Sequence, residues 1–587
     1  MLNEKIAKVH PTFVAHLEQL QKSYETLWEF LTVEDFRRVK DEIEQESCDP
    51  SVYEELNWDA SVRQSPDLCR EEQNFIQARR ERQRTTFAKF IGVNPREVEV
   101  EDIPVVGIAA SGGGYRAMLG SVGYLRAMEE TGAMETIMYI AGVSGSCWTM
   151  AQFYSPLANG STKRLAEHLQ THVQTHLANV SSFISLLKTS HDNAKLMMRG
   201  VLERYKQQNG AINLVDIFGM FLGGALLTTV VDSDHTSPEN HRLLSHQKMG
   251  LTKEREVFQD GSHPMPIYCC VHHDLTVEDK EQDNTYQWFE FTPYEMGSEE
   301  LNAWIPMWAF GRKFKDGENT LRAPEATLST MMGVFGSAFA ASLAHFYNEI
   351  RGFVPEGALA KADEIIVRYQ NSMSAYHPIS PACFPNPFYG LRLPKHMQSS
   401  ALPDLETLCI ADAGMDNNIP FYPLLRDGRD VDVIVAIDLS ADIQEAPHFE
   451  RAEGYAKRRN IDGWPAQAGW PKKMEKKVAR GEYPLGTCTV FASTTQSQRP
   501  ITVVYYPLIK NKEFDPDFDP QTAEFCSTWN FVYSKDQVVQ LFGLADRNWR
   551  DNVGRYKEVL RAAWERKRNA RLSEHHTTSR RDAVQLA

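Results

Sequence analysis

Three clusters of residues could carry chemistry. The first is Ala141-Gly142-Val143-Ser144-Gly145-Ser146-Cys147-Trp148, where an apolar run passes into a helical pattern. A serine at such a turn projects its hydroxyl at the carboxyl end of the strand. Small neighbours let the backbone approach a substrate, and Gly142 and Gly145 supply them. On its own the segment also describes an ordinary turn rich in small residues. The fifth position of the G-x-S-x-G elbow is Ser146 here, so that pattern is not matched.

The second cluster is Ser111-Gly112-Gly113-Gly114-Tyr115-Arg116-Ala117. A glycine loop feeding a helix leaves backbone N–H groups unpaired, which suits a phosphate or the oxyanion formed when an ester carbonyl is attacked. Gly113 and Gly114 are the candidate donors, and Arg116 adds a charge suited to phosphate. A turn needing positive φ would be satisfied by one or two glycines. A dinucleotide site also uses such a loop, but it expects a carboxylate at the end of the next strand, and Ala141-Gly142-Val143-Ser144 offers none.

The third cluster is Leu408-Cys409-Ile410-Ala411-Asp412-Ala413-Gly414, continued by MDNNIP. Asp412 ends an apolar run, and burial there would raise its pKa toward that of a useful base. Asp416, in a polar turn, and Asp438, at the end of VDVIVAID, compete for the role. A triad in the order Ser, Asp, His would need His448, His575 or His576, and none follows a strand; His272 and His273 precede the Asp and read as structural. The pattern points to a Ser–Asp dyad.

The elements positioning these clusters read as strand, glycine loop, helix, strand, tight turn and helix from Pro104 onward, which favours an α/β fold with a parallel sheet. Phe13, Leu17, Leu20, Tyr24, Leu27 and Leu31 fall on one helix face. Residues 1–95 are therefore expected to be a helical arm or linker, 96–550 the catalytic unit with cap or lid insertions within 235–400, and 551–587 a helix with a disordered tail beyond Ser573. The basic stretch Gln77–Phe90 reads as a solvated face; Arg79–Arg84 and Lys472–Lys477 are candidate membrane contacts. The run Ile217–Val231 is short and rich in Gly for a membrane span, and reads as buried core.

A net charge of −15 argues against nucleic acid as a partner. Nine scattered cysteines without a CxxC pair read as reduced, mostly buried thiols of an intracellular protein, and no secretory signal is evident at the N-terminus.

Taken together, SGGG-aromatic-Arg-Ala, G-x-S-G-S and Asp-Ala-Gly followed by Asn-Ile-Pro resemble the cytosolic phospholipase A(2) catalytic domain, and more distantly the patatin-like hydrolases. The likeness extends to VDIFGMFLGG at Val215, FEFTPYEMG at Phe289, FGRKF at Phe310, MGVFGSAFA at Met332 and WNFVYS at Trp529. It implies a three-layer α/β/α core around a mostly parallel sheet, with a cap. It implies Ser144 as nucleophile, Asp412 as base, Gly113 and Gly114 as oxyanion hole, Arg116 as phosphate ligand, and no metal or cofactor. The implied reaction is hydrolysis of the sn-2 acyl ester of glycerophospholipids through an acyl-serine. The implied setting is cytoplasmic, with peripheral binding to a phospholipid membrane.

The first 95 residues lack the strand alternation of the calcium-binding β-sandwich found in many animal relatives, so calcium-independent action is expected. Secreted fungal lysophospholipases are similar too, but the disulfide framework they carry is not evident here. A lysophospholipase or transacylase with the same dyad is the alternative enzyme. An inactive lipid-binding scaffold is the non-enzymatic one, and it expects the loss of Ser144, Asp412 or Arg116.

Overall fold

The apolar runs around the three clusters become the centre of one mixed sheet in the computed structural model. It describes residues 34–585 except 178, 210–212, 229–245, 274–285, 344–380, 394–401, 462, 467, 472–482, 494–496 and 498. The amphipathic face Phe13–Leu31, the Lys472–Lys477 patch and much of the expected cap therefore lie outside the described residues. The strands that matter for the site are β1 (Val106–Ala110), β2 (Tyr139–Gly142), β3 (Met265–His273), β4 (Tyr286–Phe291), β5 (Ala382–Pro385), β6 (Thr407–Asp412), β7 (Val433–Asp438) and β8 (Thr502–Pro507).

β3, β2, β1, β7 and β8 lie side by side, each parallel to the next. Every residue of β1, β2, β7 and β8 is buried, as parallel strands covered on both faces require. Beyond β3 the sheet turns antiparallel through β4 and the short strands Glu295–Ser298, Ala303–Pro306 and Arg63–Gln64. Helices cover both sides of the sheet, giving the expected layered α/β core.

One feature of register places the site. β3 is longer than β2, which ends where Gly142 pairs with Tyr268. β4 occupies the other edge of β3 from Tyr268 to His273. The edge left free above β2 is taken by β6, which runs antiparallel to β3 and ends where Asp412 pairs with Cys270. β2 and β6 thus meet head to head on one edge of β3, carboxyl end facing carboxyl end.

The helices that bear on the site are α1 (Arg70–Ile91), α2 (Gly114–Glu130), α3 (Gly145–Tyr154), α4 (Leu214–Leu227), α5 (Leu328–Phe335) and α6 (Lys535–Gln585). α4 holds most of the apolar run Ile217–Val231, and its Phe218, Phe221, Leu222 and Leu226 are core residues packed near α5. Among the described residues no helix is long and apolar enough to cross a membrane. α6 packs on α2 and is helical through Gln585, past Ser573 where the sequence suggests disorder.

Two readings are corrected. The Gln77–Phe90 segment lies within α1, and its Arg79 is wholly buried rather than solvated or membrane-facing. The guanidinium donates to the carbonyls of Met134, Ile137, Gly261 and Ser262 at 2.8–3.0 Å, so the cation is satisfied by two loops distant in sequence. Second, Cys383 and Cys409 are not reduced thiols. They face each other across β5 and β6, with Cα atoms 4.0 Å apart, and form a disulfide. The remaining seven cysteines are free.

α1 is clamped to the sheet by buried charge. Arg429 bonds Glu72 of α1 at 2.8 Å and Glu290 of β4 at 2.7 Å, and all three are buried. Truncating it would strand Glu72 in the interior and leave Glu290 with the more distant Arg426, at 3.4 Å. Arg429→Ala is therefore expected to lower the unfolding free energy by about 3–5 kcal/mol. Urea unfolding measures this, and a loss below about 1 kcal/mol would contradict the clamp.

Candidate active site

Ser144 occupies the turn between β2 and α3 with φ 53° and ψ −118°. That region is sterically costly for an L-residue and persists only where the surroundings enforce it. Gly145 explains the enforcement, because a Cβ there would stand 2.1 Å from the Gly114 carbonyl oxygen. The nucleophile turn and the glycine loop are pressed backbone to backbone. Ser144 is 3% exposed, and its hydroxyl has no hydrogen-bond partner among the described residues. Ser146, the residue that breaks the G-x-S-x-G pattern, donates to the Ser111 carbonyl at 2.6 Å and pairs with Ser121 at 2.9 Å. A glycine there would lose the tie between α3 and the end of β1.

The glycine loop leaves β1 and opens α2. Ser111 Oγ accepts from the Leu439 N–H just after β7, at 2.7 Å. Gly113 (φ 142°) and Gly114 (φ 64°) adopt conformations that only glycine takes without strain. Their N–H groups stand at the start of α2, where helix donors lack intrahelical acceptors. A Cβ at Gly112 would approach that of Ser144 to 2.8 Å, so this loop lies directly over the serine.

Arg116 is 3% exposed, and three of the five guanidinium N–H groups are engaged by carbonyls: Nε and Nη2 donate to Leu439 at 3.0 and 2.9 Å, and Nη1 to Cys526 at 2.8 Å. These bonds brace α2 against the segments after β7 and before α6.

Asp412 reaches the serine from the opposite direction, at the end of β6. Its N–H donates to Ser337 Oγ and its Oδ1 accepts from Gly414 N–H, both at 2.9 Å. The residue is 2% exposed. Burial pushes its carboxyl up to about 6, against the opposing pull of the Ser144 hydroxyl and the Gly414 N–H. The hydroxyl is thus near enough to act on the carboxyl, while the pair falls short of full hydrogen-bond geometry.

The competing groups are engaged elsewhere. Asp438 accepts from Tyr505 OH at 2.7 Å and from Ser440. Asp416 accepts from Trp288 Nε1 at 2.6 Å. His448 pairs with Asn417 Oδ1 at 3.0 Å, and His272 with the Cys409 carbonyl at 2.7 Å. Among the described residues no histidine bonds Ser144 or Asp412.

Ser146 entered sequence reasoning only as a pattern mismatch, and Ser337 and Asn418 only as parts of motifs. Asn418 carries a signal in hindsight, since an Asn before Ile-Pro, six residues after the aspartate, is placed to fold back on the turn.

A family model described as the lysophospholipase catalytic domain matches residues 106–452. Cytosolic phospholipase A2 delta of Mus musculus is 24% identical over 576 residues, covering 86% of this chain and 64% of that protein. Cytosolic phospholipase A2 zeta of Homo sapiens is 26% identical over 588 residues, covering 86% and 62%. The chain therefore spans somewhat under two thirds of the length of these relatives. Among solved structures, human GIVD cytosolic phospholipase A2 superposes with a TM-score of 0.65 at 22% identity, covering 86% of this chain and 66% of that one, a likeness of fold. A complex of that protein with methyl gamma-linolenyl fluorophosphonate gives 0.59 at 21% identity. With the match running from the start of β1 through the glycine loop, the serine turn and the aspartate strand, over more than half of its length, the chain belongs to the lysophospholipase catalytic domain family.

Proposed function

We propose that this chain hydrolyses the sn-2 acyl ester of glycerophospholipids through a Ser144–Asp412 dyad, without calcium. The observation that carries the reading is the head-to-head meeting of β2 and β6. It sets a strained, buried, unpartnered hydroxyl beside a carboxyl whose pKa is about 6. Ionised Asp412 takes the proton of Ser144 as Oγ attacks the ester carbonyl. The N–H groups of Gly113 and Gly114 receive the oxyanion. Asp412 then returns the proton to the leaving lysophospholipid alcohol, and water attacking the acyl-serine repeats the sequence.

Arg116 serves this reaction by holding α2 and its loop in place. The chain is proposed to work in the cytoplasm at a phospholipid membrane surface, in keeping with the cytosolic relatives, with 96–550 as catalytic unit and a cap drawn from 235–400. Cys69, Glu72 and Glu295 have metal-ligand spacing among the described residues, but both carboxylates are neutralised by Arg429, Arg63 and Arg426. The description of the matched family favours one further reading, hydrolysis of lysophospholipids by the same dyad.

The test is a vesicle phospholipid with distinguishable sn-1 and sn-2 chains, assayed with and without calcium beside its one-chain counterpart. Release of the sn-2 acid in both conditions is expected. Turnover of the one-chain substrate alone would replace the first reading by the second.

A further inference from the structure

We infer that Asn418 is a positioning residue that locks the base-bearing turn to the oxyanion loop. This rests on the reading of Ser144 and Asp412 as a dyad. The carboxamide of Asn418 engages both sides of one backbone residue: Oδ1 accepts from Gly112 N–H at 3.1 Å, and Nδ2 donates to the Gly112 carbonyl at 3.2 Å. The Asn418 main-chain carbonyl also faces the same N–H, at 3.3 Å. A side chain thereby completes the pairing that a neighbouring strand would give, at a place where the loop leaves the sheet.

The location of this clamp gives it consequence. A Cβ on Gly112 would meet Asn418 Oδ1 at 2.6 Å and Ser144 Cβ at 2.8 Å. A Cβ on Gly414, whose N–H holds Asp412, would meet the same Oδ1 at 2.9 Å and Asp412 Oδ1 at 3.2 Å. One amide oxygen therefore stands where the oxyanion loop, the nucleophile and the support of the base converge. The turn behind it is stiff. Asn417 exchanges hydrogen bonds with the His448 ring and carbonyl at 3.0 Å each, and accepts from Ile419 N–H at 3.3 Å.

The chemistry selects asparagine. Gly112 presents a donor and an acceptor, and a carboxamide answers both at once, without charge and from two separate atoms. Aspartate would lose the donor and place a second negative charge beside Asp412 and the oxyanion. Leucine would fill the volume and answer neither group. Because Asn418 approaches the reacting atoms through Gly112 and Gly414, its loss should reach the chemical step and leave lipid binding largely intact.

The experiment measures phosphonylation of Ser144 in the full chain by methyl gamma-linolenyl fluorophosphonate. Maximal rate and half-saturating concentration are resolved, and the adduct is mapped by mass spectrometry. Asn418→Ala and Asn418→Leu are compared with wild type, each checked for a cooperative thermal transition. The expected result for either folded variant is a maximal rate about 100-fold lower, the scale of a small misplacement of reacting groups, with the half-saturating concentration within about threefold. Leucine is expected to rescue nothing. A folded variant that labels at the wild-type rate, or loses only affinity, or is restored by leucine packing, overturns the inference. A wild type that forms no adduct on Ser144 overturns the dyad reading and takes this inference with it.

Discussion

Ser144→Ala is expected to reduce phospholipid hydrolysis by at least about 10⁴-fold, the scale seen when a nucleophile is removed from a preorganised site. No neighbouring group is placed to substitute. Ser146 is committed to Ser111 and Ser121, and the Cys147 thiol donates to the Gly142 carbonyl at 3.1 Å. Residual turnover above about 1% of wild type would remove Ser144 from the mechanism. Alanine keeps the Cβ and therefore the backbone strain at φ 53°, ψ −118°. Glycine does not, so Ser144→Gly should be equally inactive yet more stable than Ser144→Ala. Strain of this kind costs of order 1–3 kcal/mol, and the flexibility of glycine in the unfolded chain takes back about 0.5–1. A net gain of about 1 kcal/mol by chemical denaturation is the expectation. A glycine variant less stable than the alanine variant would mean that the turn is not under strain.

How far the sequence carries toward this site depends on whether the relevant contacts are local. The apolar runs at Val106, Tyr139, Thr407 and Val433 are visible because a buried strand needs continuous apolar side chains; the glycine loop follows the first, Ser144 lies just past the second, and Asp412 ends the third. That Ser144 belongs to a tight turn is readable from Gly142 and Gly145. The direction of β6 is not, because a short apolar run reads alike in parallel and antiparallel sheets. The meeting of Ser144 with Asp412 depends on β3 outrunning β2. Arg116 shows the same limit. Its acceptors, Leu439 and Cys526, lie 323 and 410 positions away, and carbonyl oxygens leave no mark in a side-chain pattern. Cys383 and Cys409 are separated by 26 residues and become partners only through the register of β5 on β6. Asn418 reads as one polar residue in a turn until Gly112, 306 positions earlier, arrives beside it.

Asp412→Asn should divide activity from stability. The variant keeps the shape of the side chain but cannot accept the Ser144 proton, and a loss of at least about 10³-fold in kcat/KM is expected above about pH 6. In wild type the same quantity should fall about tenfold per pH unit below about 6, where the carboxyl protonates. The stability effect has the opposite sense. A carboxyl at about 6 in the native state, against an ordinary 3.8, binds its proton more tightly folded than unfolded. Its contribution to stability is full below pH 3.8 and is lost as pH rises through 6. The difference between those two values corresponds to roughly 3 kcal/mol. Asparagine carries no such penalty. The Asp412→Asn protein should therefore gain stability relative to wild type between about pH 4 and pH 7, by up to that amount, while remaining inactive throughout. Denaturant titrations at both pH values decide the matter. A stability difference that does not change with pH would show that the buried carboxyl titrates at its ordinary value and is no better a base than a surface aspartate.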